Sequence, residues 1–197
     1  MGEQEQDLQK FEVLDDQGHS TGQLLSRGAV HEQELWHPTV NVWILNSRGE
    51  VLLQLRGKKV ELNPDTWDVA IGTHVRPGEN PADAALRCLQ TELGVTVARD
   101  QLKHLFNIQS ANPTKDGKLH RTLGHVFLLK RNIDINVFTY DKDKIAMLVW
   151  RPLIDVMSEV GSIDASSSYY PRPVDYFTQL FDALQAEMQR GQITPYS

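Results

Sequence analysis

The stretch "GTHVRPGENPADAALRCLQTELGV", Gly72–Val95, carries its own boundaries. Asn80 has the side-chain acceptor that a helix N-cap needs, and Pro81 fits the first helical position, where a missing N–H costs nothing. Gly94 fits the left-handed residue that ends a helix. Between them Ala85, Leu86, Leu89 and Leu93 recur at helical spacing. The spacing predicts a helix over 81–93, entered from a tight Gly-Pro-rich loop. Positions 88, 91 and 92 stand at i, i+3 and i+4 and share one helix face. That face holds a thiol, a hydroxyl and a single carboxylate: Cys88, Thr91 and Glu92.

On either side of this helix the chain reads mostly as strands. "FEVLDDQGHSTGQLLSR" is strand, turn, strand, with Asp16-Gln17-Gly18 as the turn, so residues 10–30 are expected as an N-terminal hairpin. "TVNVWILN" and "VLLQLRG" flank the turn "SRGE", and "LNPD" breaks the chain before "TWDVAIGTHV", read as one further strand. "LKHLFNIQS" and "LHRTLGHVFLLKR" read as strands joined through "ANPTKDGK", and "KIAMLVWRPL" as a later one. "LIDVMSEV" and the amphipathic "PVDYFTQLFDALQAEMQR" close the pattern as helices. Strands first, a helix midway and helices last predict a mixed α/β sandwich. Residues 1–9 are expected as a flexible tail, and 1–197 as one domain.

With 197 residues, 40% hydrophobic and 23% charged, the composition is that of a globular chain. A net charge of −6 disfavours broad nucleic-acid binding while leaving room for a local basic pocket. No apolar run has the length of a membrane span, and the polar, acidic start lacks a signal-peptide pattern. Cys88 is the single cysteine, so an intrachain disulfide is excluded and a reducing, cytoplasmic setting is expected.

Together with the order of elements, Thr73–Val95 resembles the Nudix family, whose box runs G-x5-E-x7-R-E-U-x-E-E-x-G-U with U aliphatic. Glu79, Arg87, Leu89, Glu92, Gly94 and Val95 match, while Thr73, Cys88 and Thr91 replace a glycine and two glutamates. The resemblance implies a Nudix-type α/β/α sandwich with a mixed central sheet. It also implies hydrolysis of a diphosphate linkage in a small phosphorylated molecule. One Mg²⁺ (or Mn²⁺) is expected, held by Glu92 and the backbone carbonyl of Gly72, because Mg²⁺ often binds through one or two carboxylates plus substrate oxygens. Glu79 and Arg87 are expected to brace the loop against the helix, with Gly94 capping it. Arg56 and Arg76 are the expected substrate contacts, since arginine suits bidentate phosphate binding. The lost acids keep open the alternative of a Nudix-fold binding or regulatory protein with little catalysis.

"RCLQTELGV" and the N-terminal region also look like the branch that contains isopentenyl-diphosphate isomerase. There a cysteine and a histidine precede the box where Gly72 and His74 stand here, and two later glutamates give way to His120 and Thr122. Double-bond isomerisation is therefore not expected. The same resemblance makes His31, His37 and His74 a second candidate metal site; the competing reading is loop and strand-end histidines with ordinary hydrogen bonds. Lys115, Lys118, His120 and Arg121 cluster at a turn, a pattern that is also that of a solvated hairpin end.

Overall fold

The computed structural model describes residues 9–114, 116–161 and 168–191. The expected tail over 1–9 therefore lies, apart from Gln9, outside the described residues. β1 (Lys10–Leu14) and β2 (Ser20–Ser26) form the antiparallel N-terminal hairpin. That hairpin stops short of residue 30, because Ser26 caps a short helix α1 (Arg27–Glu32), accepting from the Ala29 N–H at 3.3 Å.

Next come β3 (His37–Leu45), β4 (Glu50–Arg56), β5 (Trp67–Val69), β6 (Ile71–His74), α2 (Pro81–Leu93), β7 (Leu102–Pro113) and β8 (Leu119–Lys130). The chain closes with β9 (Ile145–Pro152), α3 (Leu153–Gly161) and α4 (Val174–Gly191). The seven strands β3–β9 form one mixed sheet. β3 lies at its centre, parallel to β8 along its whole length, from His37 beside Thr122 to Leu45 beside Lys130. Its other edge is shared: β6 pairs with Thr39–Val42, and β4 meets it at Leu45. The single strand expected over "TWDVAIGTHV" is thus two. The chain changes partner at Ala70, leaving β4 for β3.

Alternation along β3 assigns its residues to two cores. Val40, Val42 and Ile44 face α2 and pack with Ala85, Leu89 and Leu93. Trp43 and Leu45 face the other way, onto α3 and α4, among Val156, Tyr176, Leu180 and Leu184. Helices therefore cover both faces of the mixed sheet, as the sequence pattern predicts. Among the described residues, no helix is long and apolar enough to cross a membrane.

Candidate active site

One face of β3 is polar in its first half and apolar in its second: His37, Thr39 and Asn41, then Trp43 and Leu45. Strand register aligns like with like. Thr39 stands beside His74 and Asn41 beside Gly72 on β6, while His37 stands beside Thr122 and Thr39 beside Gly124 on β8. On β7, Ser110 lies opposite Thr122, and Asn112 opposite His120. The apolar half of this face builds the second core, and the polar half lines a cavity of about 900 Å³.

Four histidines converge beside that cavity, and two of them, His74 and His120, line it. His31 comes from α1, His37 from the start of β3, His74 from the end of β6 and His120 from the start of β8. One ring nitrogen of each lies within 4.8 Å of the others. Phe11 stacks on His74 at 4.3 Å and on His37 at 5.4 Å between ring centres. His37 Nδ1 lies 3.0 Å from the Leu35 carbonyl. A carbonyl only accepts, so Nδ1 carries the proton and Nε2 presents its lone pair to the group. Nε2 of all four rings, and Nδ1 of His120, are buried without a hydrogen-bond partner among the described residues.

Burial chiefly, and the neighbouring rings, lower the proton affinity of all four. His31 is brought down to about 4, His37 and His120 to about 3, and His74 well below its ordinary value. The rings are therefore neutral near pH 7, the state that binds metals. Buried lone pairs left unpaired are costly, and a transition ion that favours imidazole would satisfy them. The donor set fits such an ion.

The box lies along the same cavity. α2 starts and ends where the sequence places it: Asn80 Oδ1 accepts from the Ala82 N–H at 2.9 Å, and Gly94 has φ 71°. Arg87 donates through Nε and Nη2 to both carboxylate oxygens of Glu79, each at 2.7 Å. Glu79 also accepts from the Arg76 N–H at 2.9 Å, so this pair ties the loop to the helix. The Arg87 bond holds the Glu79 carboxyl below its usual range.

The three-residue face of α2 is divided by burial. Cys88 is 1% exposed and packs in the first core, its thiol pushed up to about 11 mainly by burial. Thr91 and Glu92 line the cavity. Burial raises the Glu92 proton affinity, and a hydrogen bond from the Cys88 thiol and the charges of Lys144 and Arg87 oppose it. Of the box carboxylates that match the family pattern, Glu92 alone lines the cavity, beside Gly72, and Mg²⁺ commonly binds through one or two carboxylates.

Arg56 lines the cavity, with Nε and Nη2 donating to the Leu62 carbonyl and Nη1 to Asp68 at 3.0 Å. Arg76, the other expected substrate contact, is exposed and outside the cavity wall. The turn that delivers Glu79 to Arg87 also carries the Arg76 side chain outward. Three cavity residues escaped the sequence reading: Lys144, Arg172, and His120 as a member of the histidine group. His120 was read as part of a basic turn and as the replacement of an isomerase glutamate, not as a partner of the other histidines, and Arg172 gave no signal beyond lying between two prolines.

The NUDIX domain family matches residues 35–171. Over 184 residues the chain is 29% identical to Nudix hydrolase 3 of Arabidopsis thaliana, covering 91% of this chain and 24% of that protein. It is 30% identical over 120 residues to an isopentenyl-diphosphate Delta-isomerase of Pectobacterium atrosepticum, covering 61% and 65% of the two chains. The chain thus spans about a quarter of the first of these relatives and just under two thirds of the second. In fold it is similar to DR0079 of Deinococcus radiodurans, at a TM-score of 0.65 and 16% identity over 90% of this chain and 98% of that one.

Proposed function

Because the chain belongs to the Nudix family, we propose that it hydrolyses a diphosphate linkage in a small phosphorylated molecule, with one divalent ion held by Glu92 and the Gly72 carbonyl. The observation that carries this reading is the shared cavity. Glu92, Thr91 and Gly72 lie on one part of its wall, His74 and His120 on another, with Arg56 and Lys144 along it. A bound Mg²⁺ or Mn²⁺ supplies Lewis acidity toward phosphate oxygens. The chain supplies the rest. Glu92 must be ionised to serve, and Lys144 favours that form. The Glu79–Arg87 pair holds the loop that follows β6, the strand that carries Gly72 and His74, and Arg87 Nη2 also reaches the His74 carbonyl at 3.4 Å. The histidine group, two of whose members line the same cavity, is a second position, for a transition ion.

A binding protein without catalysis is the second reading. Cys88 favours it, because a core thiol replaces a box carboxylate and leaves Glu92 alone. The test is turnover of a panel of nucleoside-diphosphate-linked and prenyl-type diphosphates by protein reloaded with Mg²⁺ or Mn²⁺. Monophosphate or phosphate release is expected, with Glu92→Gln slower on the order of 100-fold, the scale set by losing one electrostatic contributor. An inert parent that binds a panel member would establish the second reading. Unchanged turnover in Glu92→Gln would move the chemistry to the histidine group.

A further inference from the structure

Arg172 lies outside every box position. It follows the segment Ser168–Tyr170, which is tied to the sheet where Trp67 donates to the Ser168 carbonyl at 2.8 Å and Tyr170 donates to the Trp67 carbonyl at 2.7 Å. This anchoring brings the guanidinium back over the cavity, between two aromatic rings. Its central carbon stands 4.6 Å from the centre of Tyr176 and 5.0 Å from that of Tyr170. Tyr176 is itself held by the Trp43 indole N–H, which donates to its hydroxyl at 2.8 Å. Arg56 lies against the same Tyr170 ring at 5.1 Å.

One carboxylate serves both arginines. Asp68 Oδ1 accepts from Arg172 Nη2 at 2.5 Å, and Oδ2 accepts from Arg56 Nη1 at 3.0 Å. Asp68 is 3% exposed, Arg172 11% and Arg56 16%. The trio therefore carries one positive charge in excess on a largely desolvated wall, where a charge acts more strongly than in water. Arg56 spends three of its N–H groups on protein acceptors, whereas Arg172 spends one. Its remaining donors have no protein acceptor among the described residues, and the residue lines the cavity. The location is also informative. A Cβ built on Gly72 would stand 3.9 Å from Asp68 Oδ2, so the trio adjoins the Gly72 peptide.

We propose that Arg172, positioned by Asp68 and the Tyr170 and Tyr176 rings, is the principal phosphate-recognition residue of this cavity and forms with Arg56 a two-guanidinium clamp for a diphosphate group. The planar fork of arginine matches the paired oxygens of such a group, and the tyrosine faces fix its plane without consuming its donors. Asp68 holds the two like charges together when no ligand is bound. The clamp rests on the proposed function only in taking a phosphorylated ligand, and it is independent of turnover.

The experiment is calorimetric titration of inorganic pyrophosphate into metal-stripped protein in chelator-treated, low-salt buffer, with thermal melts of every variant. The parent is expected to bind, more weakly as salt rises. Arg172→Met should weaken binding by about 10-fold or more, the scale of a charge-assisted hydrogen-bonded contact. Arg172→Lys keeps the ion pair with Asp68, and with it the fold, but not the fork, and most of the affinity should be lost there too. Pyrophosphate affinity unchanged in a folded Arg172→Lys, or a parent that does not bind pyrophosphate, overturns the clamp. An inert enzyme whose pyrophosphate affinity follows Arg172 would sink the hydrolase reading and leave the clamp standing.

Discussion

Single residues on α2 have different fates although they share a face. Helix spacing groups Cys88, Thr91 and Glu92, but burial separates them. Cys88 is walled in by Ala84, Ala85 and Leu89 and their neighbours, whereas Thr91 is exposed on the cavity wall. Restoring acids at the two positions should therefore have unequal outcomes. Thr91→Glu adds a carboxylate beside Glu92 in a wet position, and Mn²⁺ binding followed by electron paramagnetic resonance should tighten about 10-fold, by analogy with adding one charged ligand. Cys88→Glu places a carboxylate where burial already pushes the thiol up to about 11. Arg87 Nη1, 3.1 Å from the sulfur, and the Thr73 side chain could meet it, but Glu92, which also touches the thiol, would repel it. A clear fall in melting temperature is expected for that variant. Equal gains in Mn²⁺ affinity from both, without loss of stability, would show that the two positions are equivalent after all.

Element ends set the position of the box. α2 begins at a side-chain cap and stops where Gly94 takes φ 71° and its N–H donates to the Gln90 carbonyl. A Cβ at Gly94 would stand 2.2 Å from Thr139 Oγ1, besides the strain of a left-handed backbone. Gly94→Ala should cost about 1–2 kcal/mol from the backbone alone, with more from the Thr139 contact, measured by denaturant unfolding. Because Val95 and Glu92 flank that end, Mn²⁺ affinity should fall with it. A neutral Gly94→Ala would mean the helix end relaxes freely. Gly72 is different: a Cβ there meets neighbours at 3.7–3.9 Å, ordinary contact distance, so the absence of a side chain at Gly72 is not a steric demand of the fold.

Across the whole molecule, the histidine group links stability to pH. His31, His37, His74 and His120 are neutral in the fold with lowered proton affinity, while in the unfolded chain each returns to its ordinary value near 6.5. Below that value the unfolded state binds protons that the folded state does not, so stability against unfolding falls as pH drops. For His31 the loss runs from about 6.5 to about 4, and for His37 and His120 on to about 3. Denaturant midpoints of metal-stripped protein should drop over that window, and His120→Gln should flatten the slope. A midpoint independent of pH between 6.5 and 4 would show that the rings are already charged or solvated in the fold.

The local features were legible in the sequence because their causes are local. Asn80, Pro81, the apolar stripe and Gly94 act within a few residues of one another, and they place α2 at Pro81–Leu93 without reference to the rest of the chain. The alternating and β-branched runs likewise locate most strands, and the partial box names the family. Sequence alone made Arg76 a substrate contact along with Arg56, and it treated "TWDVAIGTHV" as one strand, because nothing local records that the chain changes partner at Ala70. What tertiary structure decided is which distant residues meet. Parallel pairing of β3 with β8 brings His37 within reach of His120, 83 positions later. The bridge from Trp67 to Tyr169 brings Arg172 to Asp68. These contacts depend on register between strands and on where a returning segment docks, and both are settled by burial of the two cores over the whole fold. No run of neighbouring residues encodes them: family resemblance grouped His31, His37 and His74, but the place of His120 among them and the arginine clamp emerge only from the assembled sheet.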